Sequence, residues 1–278
     1  MSRCLADVPT PLPRIAVALE YDGTPFAGWQ TQQAGVSSVQ QTAEAAFSRI
    51  ADEPVSLICA GRTDAGVHAL GQVAHFDTRA RRGERSWVLG ANSSLPDSIS
   101  VRWARAVPGH FHARYSAQAR TYRYVVLNRL GRSALAAHRA ALIYRPLEVA
   151  RMRAAAALLL GEHDFSAFRA AGCQARSPIR RLDALEVVRC GDQVIIEATA
   201  NAFLQHMVRN LVGLLLEIGV GKAPPEWAAA VLASRDRTRS AATAPAQGLY
   251  FWKVTYPPAF GLPEEAAGPV SAIIPDPP

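Results

Sequence analysis

One carboxylate and one guanidinium stand between two glycines in the run Gly61-Arg62-Thr63-Asp64-Ala65-Gly66-Val67-His68-Ala69. The glycines permit tight turns and let a large ligand approach the backbone. An ionised carboxylate in such a loop can act as a nucleophile or take a proton, and an adjacent guanidinium can meet an anion. The plainer reading of Asp64 is an Asx turn that stabilises only its own loop. His68, taken alone, reads as a structural hydrogen-bonding residue.

A second charged group sits where charge is costly. Phe203, Leu204, Met207, Val208, Leu211, Val212, Leu214 and Leu215 make the stretch Ala202–Gly219 an apolar helix nearly all round, and Arg209 lies within it. A buried guanidinium cannot shed its charge and needs a hydrogen-bonded anionic partner. Several carboxylates could serve, and Asp64 is one of them.

The third element is Arg120-Thr121-Tyr122-Arg123-Tyr124. With strand periodicity Arg120, Tyr122 and Tyr124 share one face. Rings interleaved with arginines suit single-stranded RNA, where bases stack on aromatics and guanidinium groups hold phosphates. A core tyrosine flanked by arginines with buried stems has the same pattern. Further basic stretches occur at Arg79–Arg85, Arg176–Arg181 and Arg235–Arg239, each readable as a phosphate contact or as a solvated loop.

The elements that carry these residues repeat in order. Arg14–Tyr21 alternates as a strand, and Ser38 with Gln41 forms a capping box for a helix that buries Val39, Ala43, Ala46, Phe47 and Ile50. Strands at Val55–Ala60 and Gln72–Asp77 flank the Asp64 loop, followed by a helix near Glu84–Asn92 and a strand at Ser100–Val107. The βαββαβ order then returns: strand Arg120–Asn128, helix Leu147–Leu160, strands Leu182–Arg189 and Gln193–Ala200, helix Ala202–Gly219, a second helix Pro225–Ser234, and strand Leu249–Tyr256. The expected fold is α+β, with two ferredoxin-like subdomains, 14–116 and 117–257, joined edge to edge into one mainly antiparallel sheet with a central RNA-binding cleft. Residues 1–13 and 258–278 read as irregular termini.

Bulk composition narrows the function classes. The chain has 278 residues, a formal charge of +7 and a pI near 9.6, which favours a polyanionic partner. Only Lys222 and Lys253 are lysines, a bias that a GC-rich genome would also produce. No apolar run reaches the ~20 residues of a membrane span, and the proline-bearing N-terminus lacks a secretory core. Cys4, Cys59, Cys173 and Cys190 form neither a CxxC pair nor a zinc-like spacing, so reduced thiols in a cytoplasmic protein are expected, with no metal. P-loop and dinucleotide-binding glycine patterns are absent.

The loop GRTDAGVHA resembles the signature of TruA-type pseudouridine synthases. Five more stretches agree in order: YDGTPFAGWQ from Tyr21, FHARYSAQARTYRY from Phe111, GEHDFSAFR from Gly161, NAFLQHMVRN from Asn201 and TAPAQGLY from Thr243. Together they cover about residues 14 to 256. The resemblance implies an isomerase that converts uridine to pseudouridine in tRNA, in the anticodon stem-loop at positions 38–40, as a homodimer and without cofactor. By the same resemblance Asp64 is the nucleophile and Arg209 its basic partner. Tyr122 would stack on the target base, Arg62 would help flip the nucleotide, and Leu249 would line the pocket. Gln205 departs from the family, many of whose members carry a basic residue there. Two other classes compete: a pure RNA-binding module, which needs no carboxylate between glycines, and a base-excising glycosylase, which would release free uracil.

Overall fold

The computed structural model describes residues 12–33 and 35–263. The first half runs β1 (Arg14–Tyr21), α1 (Val39–Ala51), β2 (Ile58–Cys59), β3 (His68–Asp77), α2 (Glu84–Asn92) and β4 (Ile99–Val107). The second half runs β5 (Ala119–Leu127), β6 (Ala141–Leu142), α3 (Val149–Ala157), β7 (Gly161–Asp164), β8 (Ile179–Cys190), β9 (Gln193–Ala200), α4 (Met207–Gly219), α5 (Trp227–Ser234) and β10 (Leu249–Thr255). The fold is α+β, as expected.

All these strands belong to one ten-stranded sheet with the order β4-β1-β3-β10-β5-β9-β8-β7, to which β2 adds beside β3 and β6 beside β5. Pairing is antiparallel except for β10 with β3 and β6 with β5. In each half the strands lie fourth, first, third, second: β4-β1-β3-β2 in one and β10-β5-β9-β8 in the other. The halves meet where Tyr250 and Phe251 of β10 lie beside His68 and Ala69 of β3.

Two hydrophobic clusters follow the halves. One gathers Phe47, Phe76, Trp87 and Trp29 beneath β1, β3 and β4. The other gathers α3, α4 and α5 against β5, β8 and β9, with Met152, Leu211, Leu214 and Leu215 all fully enclosed. Each such side chain contributes roughly 1.5–3 kcal/mol by leaving water. Tyr122 packs against both clusters.

Local signals in the sequence explain several boundaries. Ser38 caps α1 through its hydroxyl, which accepts from the Gln41 amide at 3.3 Å. Ile50 is only half-buried on that helix. β1 is buried on both faces, because it runs between β4 and β3 in the interior of the sheet. This departs from the half-exposed strand that its alternation predicts.

Other boundaries shift. β2 shrinks to Ile58–Cys59, and β3 starts at His68 instead of Gln72, which shortens the loop that carries Asp64. α4 starts at Met207 and not at Ala202, since His206 takes φ 62°, ψ 1° and so interrupts helical backbone. The short strands β6 and β7 have no counterpart in the sequence reading. Beyond β10 the described chain makes a 3-10 turn at Pro258–Phe260, and Phe260 meets Phe111 edge-on at 5.0 Å. Residues 1–11 and 264–278, most of the expected irregular termini, lie outside the described residues, as does Cys4.

Candidate active site

The Asp64 loop leads directly into β3, so it sits at the seam of the sheet. The loop is tied down by three hydrogen bonds. The Trp29 amide donates to the Thr63 carbonyl at 3.0 Å, and Gln72 Nε2 donates to the Gly61 carbonyl at 2.5 Å. The Thr63 hydroxyl shares a hydrogen bond with Tyr21 Oη at 2.8 Å. Gly28 makes the fit possible. Its φ is +103°, and a β-carbon there would come within 2.7 Å of the Thr63 carbonyl oxygen. The stretch Tyr21–Gln30 therefore acts as a cradle for the loop. Motif order alone did not reveal that role.

Across the seam, α4 brings Arg209 to the carboxylate. Arg209 Nη1 donates to Asp64 Oδ2 at 3.2 Å, while its Nε donates to the Ala244 carbonyl at 2.8 Å. Spacing alone leaves several carboxylates open as the partner of Arg209, and the resemblance implies Asp64; the two side chains are in contact here. Neither side chain is fully enclosed: 32% of the Asp64 side chain and 17% of that of Arg209 remain accessible. His206 Nε2 approaches the same oxygen, at 3.3 Å. The sequence reading passed over His206, although its i, i+3 spacing from Arg209 was a usable signal.

Tyr122 stands beside the loop. Its ring meets Phe251 edge-on at 4.9 Å and Phe203 edge-on at 5.0 Å, the former across the β5–β10 ladder where the two residues pair directly. Burial first, then the neighbouring Tyr21 and Asp64, raise the pKa of its phenol, so the hydroxyl stays protonated. Leu249 is buried opposite Tyr124 at the start of β10, in the same cluster as Val67 of the Asp64 loop. The segment before it also touches the loop, with Ala246 Cβ 3.6 Å from where a β-carbon of Gly66 would lie. Arg62 is exposed and makes no hydrogen bond or ion pair with any described residue. Thus Asp64, Arg209 and Tyr122 converge, Leu249 backs them, and Arg62 stands free at the rim.

The arginines of β5 are structural. Arg120 donates to the carbonyls of Ala117, Asn201, Ala60 and Arg114, linking both halves behind the site. Arg123 pairs with Glu197 and lies 3.9 Å over the Trp252 ring. Both are at most 8% exposed, so the alternative of buried-stem arginines holds for them and phosphate contact does not. His68 is likewise a structural hydrogen-bonding residue. Its Nδ1 accepts from the Gly23 amide at 3.1 Å, and its Nε2 bonds the His138 carbonyl at 2.8 Å.

Of the basic stretches, Arg79–Arg85 is mostly exposed, with Arg82 donating to the Ile50 carbonyl. In Arg176–Arg181, Arg181 pairs with Asp183 at 2.6 Å. Arg235–Arg239 is partly consumed in packing: Arg235 faces Asp164, and Arg237 donates to Asn210 and Thr243. Among the described residues no three His, Cys, Asp or Glu side chains converge to hold a metal.

This geometry can present a carboxylate, hydrogen-bonded by Arg209 and approached by His206, next to an aromatic ring at the seam. Known proteins share the chain that builds it. A family model described as tRNA pseudouridine synthase matches residues 17–116 and 155–257. The chain belongs to that family. Among similar proteins, one from Methylococcus capsulatus is 55% identical over 253 residues, covering 91% of this chain and 93% of its own. One from Alcanivorax borkumensis is 52% identical over 257 residues, covering 92% and 96%. One from Pseudomonas aeruginosa is 51% identical over 256 residues, covering 92% and 90%. All three carry the name tRNA pseudouridine synthase A. Like other members of the family the chain is an isomerase. No helix of the described residues is long and apolar enough to cross a membrane.

Proposed function

We propose that the protein isomerises uridine to pseudouridine in the anticodon stem-loop of tRNA, at positions 38–40, with Asp64 as the nucleophile. The observation that carries this reading is the Arg209–Asp64 hydrogen bond at 3.2 Å across the seam, within a chain of this family. The reaction detaches uracil from C1′ of the ribose, turns it and rejoins it through C5, so the atoms balance without water or a redox partner. It needs an ionised carboxylate beside the sugar, and Arg209 places a guanidinium in hydrogen-bond contact with the Asp64 carboxyl group.

A uridine inside a stem is out of reach, so the target nucleotide is flipped into the seam. Tyr122 then stacks on the exposed base, Leu249 lines the apolar wall, and the free Arg62 fills the place the nucleotide has left. Partial exposure of Asp64 fits access from outside. The common strand order of the two halves supports two ferredoxin-like subdomains, 14–116 and 117–257, whose shared sheet forms the RNA-binding cleft. A homodimer working in the cytoplasm, with one tRNA spanning both subunits, completes the proposal. Exposed arginines at Arg79–Arg85 and Arg176–Arg181 would supply phosphate contacts, which position RNA without reading its sequence.

The test is to incubate the protein with unmodified tRNA and map pseudouridine at base resolution. Conversion at positions 38–40 with the base retained in the RNA is the expected result. Free uracil in the supernatant would make the protein a glycosylase, and unchanged tRNA would leave it an RNA-binding module.

A further inference from the structure

We propose that His206 is a positioning residue for this reaction: together with Arg209 it fixes one oxygen of the Asp64 carboxylate and leaves the other as the reacting oxygen. The inference rests on the reading of Asp64 as nucleophile. Arg209 Nη1 donates to Oδ2 at 3.2 Å, His206 Nε2 lies at ion-pair distance, 3.3 Å, from the same oxygen, and no described residue hydrogen-bonds Oδ1.

The two oxygens of an isolated carboxylate are equivalent, and a single donor leaves the group free to swing about its Cβ–Cγ bond. The Arg209 hydrogen bond, with the His206 imidazole close against the same oxygen, restricts that freedom. Placement matters because a misalignment of about 1 Å at a reacting centre can cost 10²-fold in rate. An imidazole protonated on Nε2 can donate to that oxygen whether it is neutral or cationic.

Ordinary structural reasons for this histidine do not account for it. It precedes α4 at the N-cap position, yet its side chain makes no capping hydrogen bond. It is not enclosed, since 31% of its side chain is accessible. Among the described residues the imidazole makes no other polar contact. Its backbone holds the left-handed conformation, φ 62°, which is unfavourable for a residue with a β-carbon. Such strain persists where the surrounding structure requires it and gathers at functional sites. A helix starting at Ala202 would have spared the strain.

The experiment compares wild type, His206→Gly and His206→Gln in the full-length protein, measuring kcat and KM for pseudouridine formation on unmodified tRNA, with thermal melts. Glycine adopts φ 62° freely, so the first variant keeps the helix start and deletes only the imidazole. Its kcat is expected to fall roughly 10- to 10²-fold, with KM within about threefold of wild type and no loss of melting temperature. Glutamine places a neutral N–H donor at similar reach and is expected to restore most of the lost kcat. Wild-type kcat in His206→Gly would overturn the proposal, as would a His206→Gln variant as slow as the glycine one. A change confined to KM would make His206 an RNA contact and also overturn it. Asp64→Asn, run alongside, separates the two readings. An active Asp64→Asn removes the nucleophile assignment, whereas an inactive one beside a fully active His206→Gly removes only the role of His206.

Discussion

A β-carbon at Gly61 would lie 2.7 Å from Cε2 of Phe251 and 3.6 Å from the hydroxyl of Tyr122. The residue that opens the Asp64 loop is thus also the floor under the aromatic pair of β5 and β10. Phe251 is fully buried and cannot swing aside. Gly61→Ala is expected to cost about 1–3 kcal/mol of stability by overpacking. Because Tyr122 packs edge-on against Phe251, a displaced Phe251 ring should disturb it, and turnover should fall more than the stability loss alone explains. Denaturant unfolding and activity at a temperature well below the melt measure the two effects separately.

Asp64→Asn removes the charge and keeps the shape. Turnover is expected to drop by at least roughly 10⁴-fold, while tRNA binding survives through phosphate contacts made elsewhere. The ion pair is partly open to solvent, so its contribution to stability is nearer the ~1 kcal/mol of a surface pair than that of an enclosed one. In a double-mutant cycle Arg209→Met in the Asn background should cost less than in wild type, with a coupling of about 0.5–1 kcal/mol. Strictly additive urea midpoints would mean the two side chains do not interact in solution.

Tyr122 tests stacking against chemistry. Tyr122→Phe should keep most activity, and Tyr122→Ala should lose about 1–3 kcal/mol of transition-state stabilisation, read from kcat/KM. If the Phe variant were as slow as the Ala variant, the hydroxyl and not the ring would be the working part.

Stability should depend on pH through His75. It is almost completely buried, and its Nδ1 accepts from the Ala113 amide at 3.1 Å, which requires the neutral ring. Burial first, then the charges of Arg14 and His112, push its pKa down to about 4. In the unfolded chain an imidazole titrates near ~6.5. The unfolded state therefore takes up the proton first as pH falls. Stability from this group is complete above ~6.5 and declines down to about 4, by up to ~3 kcal/mol. His75→Asn keeps an acceptor for Ala113 and does not titrate, so its urea midpoints should vary less over that window. An equally steep profile would assign the slope to other groups.

How much of this could be read from the sequence depended on whether a feature was local. The cap at Ser38 and the strands at Leu182–Arg189 and Gln193–Ala200 rest on short-range patterns and were legible. The convergence of Asp64 with Arg209 was legible only through the family resemblance, because 145 positions separate them and no periodicity encodes which carboxylate a helix will meet. β7 was missed since Gly161-Glu162-His163-Asp164 has no strand-like alternation; pairing with β8 alone makes it a strand. The start of α4 was misplaced because Ala202 and Phe203 look helical by composition, whereas a single positive φ at His206 decides the boundary. The arginines of β5 could be read two ways until their acceptors, four of them backbone carbonyls around Arg120, were in view.

The place of β10 has a consequence for synthesis on the ribosome. Of the described strands it emerges latest, yet it occupies the middle of the sheet, between β3 and β5. At translation rates of about 5–20 residues per second, β3 waits roughly ten to thirty seconds for its neighbour. During that wait the edge of β3 beside the Asp64 loop has unpaired amides and carbonyls, open to mispairing with another nascent chain. Insertion of a single short strand then closes the edge, draws the two halves together and brings Ala244 and Ala246 against Arg209 and the loop. Assembly of the active centre is in this way deferred to the end of folding, so partly made chains cannot carry out the reaction.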